Sequence, residues 1–488
     1  VEAEESVESR LSHVVIIGGG IAGLAAAHRL QKEVAGRPVR YTLLEGSARL
    51  GGKIASRSLG GYLVEGGPDC FLTRKPGALN LARELGLEGD LIGTNEQRRK
   101  VYVLHRGRLY PLPEGVMLIV PTEFMPFAVS PLLSIPGKLR MGMDLLIRPR
   151  REDGDETLAS FVRRRLGKEA LDKIAEPLLS GIHVSDPERL SLKSSFPRLL
   201  ETEQTHGSLI RGMVAAKRAM AAARHKNGSR PSMPMFMTLR GGLQQLVDAV
   251  AAELDPAAVR TGCPVVAVER AERSGGGYRV QTAAGEALAA DGVVLATPSD
   301  VSARLVKGLD PDLAAALGTI RYVSTAVVSL GFRPGDDMPA LNGFGFIIPK
   351  TEGRRITACT WTSTKFDHRA PAGHQLVRTF VGGPGREALA EQDDEVLIEA
   401  VREELAEIMG LRGEPEIAWV SRWTKANPQY DLNHLDRVAE MRRRAEAHGG
   451  LALAGCAYDG VGVPDCIRQG QEAAGQILST LVISEGVV

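Results

Sequence analysis

Cysteine is scarce in this chain. Five thiols, Cys70, Cys263, Cys359, Cys456 and Cys466, are scattered over 488 residues. They are odd in number and form no C-x-x-C pair, which argues against a disulfide framework and a structural zinc site and suits a reducing, cytoplasmic compartment. Excess charge is also missing: 60 basic residues stand against 59 acidic ones, so no global field favours nucleic acid. No apolar run reaches the length of a membrane span. The most apolar stretch, "VMLIVPTEFMPFAVSPLLSIPGKL" (116–139), is cut by Pro121, Pro126, Pro131 and Pro136. It reads as a core segment, an apolar pocket wall or a membrane-apposed surface. The opening "VEAEESVESR" lacks the basic region and apolar core of a signal peptide and reads as a disordered tail. Internal repeats and low-complexity segments are absent. The ten histidines show no metal-ligand spacing, so no metal is expected.

What the chain does have is glycine in pattern. In "SHVVIIGGGIAGLAAAHRL" (12–30), Val14–Ile17 reads as a buried strand and Ile21–Leu30 as a helix. Gly18, Gly20 and Gly23 fall between them with G-x-G-x-x-G spacing. Gly18 permits the tight turn, Gly20 lets a pyrophosphate approach the backbone, and Gly23 lets helix and strand pack closely. The N–H groups of the first turn, around Ile21 and Ala22, face the phosphates. A second strand, Tyr41–Leu44, ends in Glu45, whose carboxylate suits a ribose. Strand before and helix after are the context that makes this glycine motif a dinucleotide site.

The rest of the chain divides by composition into three parts. A discontinuous Rossmann-like unit is expected over 12–75, 236–310 and 448–488. A helical domain spans 76–225, where Leu158, Phe161, Val162 and Leu166 recur at helical spacing. A mixed-sheet domain covers 311–447 and includes a helix in "DEVLIEAVREELAEIMG" with Val396, Ile398, Val401 and Leu405 recurring. The fold class is thus α/β and α+β. Near the end, a glycine-rich turn feeds a helix starting near Pro464–Asp465, which turns positive dipole toward whatever lies there.

From Glu45 the chain reads "EGSARLGGKIASRSLGGYLVEGGPDCF". Its E-x-x-x-R-x-G-G pattern, with Arg49, Gly51 and Gly52, resembles the flavoprotein amine oxidases, and the dinucleotide is therefore read as FAD rather than NAD. More selective are "EPLLSGIHVSDPERLSLKSSFP", "TEQTHGSLIRGM", "RWTKANPQY" and "GVGVPDCIRQG". With the first motifs they cover residues 13–470 and are similar to the bacterial flavin-dependent porphyrinogen oxidases of haem biosynthesis. That resemblance implies FAD held by Gly18–Gly23, Glu45 and Arg49. It places Gly67, Pro68 and Asp69 beside the flavin, Val265 at the adenine, Trp423 along the ring, and Gly462 and Val463 over it. Lys75 and Ile182 match substrate-side positions. It also implies a porphyrinogen substrate, oxygen as oxidant, hydrogen peroxide as by-product, a transient ferrochelatase contact, and peripheral contact with the membrane. Relatives outside the bacterial branch carry an arginine where Val101 stands, which favours coproporphyrinogen III and leaves protoporphyrinogen IX as the alternative. Another flavin oxidase, of the amine oxidase or carotenoid desaturase type, is the remaining reading. The identity of a catalytic residue stays open.

Overall fold

A computed structural model describes residues 11–33, 39–113, 116–117, 119–121, 129–152, 154–180, 184–227, 233–272, 277–335 and 339–485. Five parallel strands form the nucleotide sheet, in the order Val259–Arg260, Val39–Leu44, Ser12–Ile17, Gly292–Leu295, Leu451–Leu453. Val14, Val15 and Ile16 are fully buried at its centre, as a β-branched strand covered on both faces must be. Helix Ile21–Glu33 and the terminal helix Val463–Glu485 pack together on one side through Leu24, Leu30, Ile467 and Ile477. The strands come from three separated stretches of the chain.

A seven-stranded sheet is the second layer. Its order is Ile417–Pro428, Tyr322–Phe332, Gln375–Gly382, Ile356–Trp361, Gly345–Ile347, Val101–His105, Arg108–Pro111. All neighbours are antiparallel except Gly345–Ile347 with Val101–His105. Strand alternation gives the sheet two distinct faces. One carries Val328, Leu330, Val377 and Val381 and is sealed by helix Asp394–Met409. The buried row of that helix is Leu397, Val401, Leu405 and Ile408. Of the row expected from the sequence, Val401 and Leu405 are buried and Ile398 packs against the core, while Val396 is half exposed, because the helix turns the i, i+4, i+8, i+11 positions toward the sheet. The other face carries Trp419, Ser421 and Trp423 beside Val327, Ser329, Arg378 and Phe380.

The helical part is organised around Leu158, Phe161, Val162 and Leu166, all buried as their spacing implies. Thr157 caps this helix by accepting from Ser160 N at 3.1 Å. The following segment, Leu171–Ser180, widens into a π-type helix with Pro177 inside it. A π turn relaxes the i, i+4 register that proline cannot satisfy. Of the apolar stretch 116–139, Val116–Met117 and Val120–Pro121 pair as a short antiparallel ribbon, and helix Ile135–Gly142 follows. Among the described residues, no helix is long and apolar enough to cross a membrane.

One ion cluster sits inside this helical layer. Arg165 and Asp144 are both fully buried and lie 2.5 Å apart, with buried Glu203 at 3.4 Å from the guanidinium. Asp144 also accepts from Ser208 Oγ at 2.6 Å and from Ile210 N at 2.9 Å. Removing one partner leaves a buried cation with a lost counter-charge, so Asp144→Ala is expected to cost about 3–5 kcal/mol of stability. Urea unfolding followed by circular dichroism checks this; a loss under 1 kcal/mol would mean that solvent reaches the cluster.

Candidate functional site

The site begins at the glycine loop. Gly18 adopts φ +109°, and its N–H donates to Leu44 O at 2.8 Å. A side chain there would meet Ala296 O, and one at Gly23 would stand 1.9 Å from Gly18 O. Gly20 by contrast faces open space, and the helix whose first turn carries Ile21 and Ala22 starts directly after it. A turn of this kind at a helix start can hold a phosphate. Behind it, Gly51 N donates to Gly19 O at 2.8 Å, so the second glycine pair backs the first. Arg49 shapes that turn by donating to Ile54 O at 2.8 Å, Leu50 O at 3.2 Å and Gly52 O.

Glu45 lies at the mouth of the loop. Its carboxylate accepts from Gly19 N at 2.6 Å and Ser47 N at 2.8 Å. Its own backbone is tied to the neighbouring strand, by Glu45 N to Arg260 O at 2.9 Å and Cys263 N to Glu45 O at 2.8 Å. That pairing brings the segment leading to Val265 alongside Glu45. An open crevice of about 470 Å³ lies there, with Cys263, Pro264 and Thr282 in its wall. The cradle and the carboxylate fit the two halves of an ADP group.

At its other end the site is built by a crossing. Gly66–Asp69 runs over the polar face of the seven-stranded sheet. Trp423 Nε1 donates to Gly66 O at 2.7 Å, and Arg378 donates to Gly67 O. A side chain on Gly67 would stand 1.7 Å from Lys53 O, so only glycine admits this approach. Pro68 follows, and Asp69 pairs with Lys365 at 2.8 Å. Although burial opposes ionisation, Lys365 and Arg378 hold the Asp69 carboxyl well below the usual carboxylate range. Burial and the Asp69 charge push the adjacent Cys70 thiol up to about 12, so it stays protonated.

The terminal turn closes the arrangement. Tyr430 Oη donates to Cys456 O at 2.8 Å and accepts from Gly460 N at 2.9 Å, which fixes the loop ahead of Gly462 and Val463. The last helix starts at Val463, one residue before the expected Pro464. Lys75 reaches its first turn, with Nζ 2.8 and 2.7 Å from the two Asp465 oxygens. Lys75 is 51% exposed and Asp465 is 10% exposed. Ile182 lies outside the described residues. Sequence reasoning missed Lys53, Lys365, Arg378 and Tyr430. Lys53, within the quoted "RLGGKI", donates to Ala426 O and to Cys456 Sγ. The quoted "RWTKANPQY" contains Tyr430. Lys365 and Arg378 sit in no motif; only the sheet brings them in.

Beside the crossing, Glu65 is buried and bonded to Ser56 Oγ at 2.6 Å and Leu243 N at 2.9 Å. Burial raises it to about 7, against the pull of Arg369 and Arg378. A carboxyl with a raised folded-state value stabilises the fold fully below its unfolded value, near 4.5, and loses that contribution as pH rises toward 7. Glu65→Gln should therefore remove a fall in unfolding free energy, on the order of 3 kcal/mol, between about pH 4.5 and 7. Denaturant titrations of both proteins at pH 5 and 7.5 test it. Equal pH dependence in the two would show Glu65 to be ionised throughout.

Comparison with known proteins bears on what this site holds. The family model described as "Flavin containing amine oxidoreductase" matches residues 21–478. The coproporphyrinogen III oxidase of Bacillus subtilis (strain 168) is 39% identical over 472 residues, covering 96% of this chain and 98% of the relative. That of Staphylococcus aureus (strain NCTC 8325 / PS 47) is 35% identical, covering 96% and 99%. A crystal structure from Exiguobacterium sp. 255-15 that carries the name protoporphyrinogen oxidase superposes with a TM-score of 0.83 at 33% identity, over 97% of this chain and 99% of that one.

Proposed function

From the premise that this chain belongs to the flavin-containing amine oxidoreductase family, we propose that it is an FAD-dependent oxidase that converts coproporphyrinogen III to coproporphyrin III. The observation that carries this reading is the extent of the likeness. Relatives named for that activity match 96% of the chain, through the helical and mixed-sheet parts as well as the nucleotide fold. Protoporphyrinogen IX is the alternative substrate, since plant protoporphyrinogen oxidases also match, at 31% identity for that of Oryza sativa.

The residues divide the work. The cradle at Gly18–Gly23 takes the pyrophosphate, with Arg49 behind it. Glu45 takes the ribose and the Val265 segment the adenine. Gly67, Pro68, Asp69 and Trp423 seat one side of the ring, and Gly462–Val463 covers it. Bound FAD supplies a two-electron acceptor, and three rounds with oxygen as oxidant remove the six hydrogens and yield three hydrogen peroxide molecules. Aromatisation supplies the driving force, so a strong base is not demanded of the protein. Lys75 and Ile182 remain the proposed substrate-side residues. A propionate that binds Lys75 exchanges with Asp465, a partly exposed pair worth about 1 kcal/mol.

Acid treatment of the purified protein should release FAD, and Glu45→Ala should weaken its retention by about 1.5–3 kcal/mol. Under air, coproporphyrinogen III should give a higher kcat/KM than protoporphyrinogen IX. Lys75→Ala should lower that value by up to about tenfold, less at high salt. Equal rates for the two substrates would remove the preference, and NAD or no cofactor in the extract would remove the whole reading.

One surface favours a peripheral membrane contact. Ile135, Leu139 and Met143 recur at i, i+4, i+8 and are 73%, 70% and 48% exposed, with Leu146 beyond them at 81%. Such a row suits the headgroup boundary of a bilayer. Vesicles of phosphatidylglycerol should sediment the protein, and Leu139→Asp should abolish this. If vesicles fail while an immobilised ferrochelatase retains the protein, the row is a protein contact instead.

A further inference from the structure

The crossing at Gly66–Asp69 gathers more positive than negative charge. Arg378 is 5% exposed. It stands opposite Ser329 in the sheet, on the face that carries Trp419, Ser421 and Trp423. Besides its bond to Gly67 O, its guanidinium lies 3.8 Å from Asp69 Oδ2 and 4.9 Å from the centre of the Phe380 ring. Its Nε is buried with no hydrogen-bond partner among the described residues. Lys365, at the end of the short helix Thr362–Lys365, uses the same Asp69 oxygen. Two cations, Arg378 buried and Lys365 largely so, therefore share one carboxylate. Nearby, Arg369 is 1% exposed, and its hydrogen bonds go to neutral acceptors: Arg240 O at 3.1 Å, Thr238 Oγ1 at 3.2 Å and Leu239 O at 2.8 Å. The carboxyl that would balance it, Glu65, is raised to about 7 by burial.

An uncompensated buried charge is costly. It is tolerable where a negative charge arrives during function. The charge lies against the backbone that Trp423 and Gly67 present toward the ring site. When the substrate delivers a hydride to the ring, the two electrons and one proton leave the ring anionic, and the second proton departs to solvent. A fixed cation beside that anion favours its formation without reorganisation at the moment of transfer. We propose that Arg378 and Lys365 form a preset positive field that stabilises the reduced flavin, with Asp69 setting its strength. This rests on the flavin reading above and deepens it by assigning the electrostatics of the ring site to residues outside every recognised motif.

The test is the midpoint potential of the bound flavin, measured by dye equilibration on the intact holoenzyme. Arg378→Met should make reduction roughly tenfold to a hundredfold less favourable, a midpoint about 30–60 mV lower at 30 mV per tenfold for a two-electron couple. Lys365→Met should move it the same way. Asp69→Asn should move it upward, and Arg378→Lys should hold it near the parent value. The opposed signs are the decisive feature, since loosened packing would not raise the potential on loss of the anion and lower it on loss of a cation. If Arg378→Met fails to fold, Asp69→Asn and Arg378→Lys still decide. An unmoved potential with a raised KM for the porphyrinogen would overturn the proposal and make Arg378 a substrate contact. Same-sign shifts in Arg378→Met and Asp69→Asn would overturn it as well. A parent protein without flavin is a different result, one that defeats the functional reading itself.

Discussion

Two backbone carbonyls tie the seven-stranded sheet to the Gly66–Asp69 segment. Gly66 O is taken by Trp423 and Gly67 O by Arg378, both from the seven-stranded sheet, while Gly67 itself presses on Lys53 O. These contacts join the sheet to the segment that follows the nucleotide fold. They fix the sheet's polar face under Gly66–Asp69 and leave its apolar face to helix Asp394–Met409. Alternation then does the rest. Once Trp423 is set, Ser421 and Trp419 must share its face, and the register carries Arg378 there too.

Legibility in the sequence followed the range of the physics. The glycine loop was readable because its constraint is local: a turn, a helix start and a close approach within six residues. The helix with Leu158, Phe161 and Val162 was readable for the same reason. The row in Asp394–Met409 was right at Val401 and Leu405 and wrong at its start, because three apolar residues stand adjacent at Val396, Leu397 and Ile398 and only the partner surface decides which faces inward. Lys75 was recognised by likeness alone, and its partner Asp465 lies 390 positions away. Lys365 and Arg378 carried no signal at all. Their meeting with Asp69 depends on a strand pairing and a chain crossing that no window of the sequence contains.

The balance of charge shows the same contrast. With 60 basic and 59 acidic residues, the chain looks neutral. Many of these groups are spent on the surface in pairs such as Arg468 with Glu472 or Arg304 with Asp300, where each contributes little. Inside, the partition is uneven. The helical layer balances Arg164 and Arg165 against Asp144 and Glu203. The crossing at Gly66–Asp69 does not balance, because Lys365 and Arg378 share Asp69.

That imbalance bears on how the proposed reaction manages without a strong base. His434 is the buried histidine nearest to the terminal turn in its bonding, stacked on Tyr430 at 3.9 Å and bonded to Tyr458 O at 2.9 Å. Burial lowers it to about 4, against the help of that carbonyl. It is neutral at physiological pH and occupied with holding Tyr430, which in turn holds Gly460. Cys70 stays a thiol, and Asp69 is too weak a base once two cations surround it. Asp69, Cys70 and His434 are therefore poor proton acceptors, Glu65 is tied to Ser56 and Leu243 N, and what the cations at the crossing supply is a fixed field. A reaction driven downhill by aromatisation requires its electrons to be received and its protons released to water. A site built from glycine backbone, two indoles and shared cations meets that requirement through charge placed before the substrate arrives.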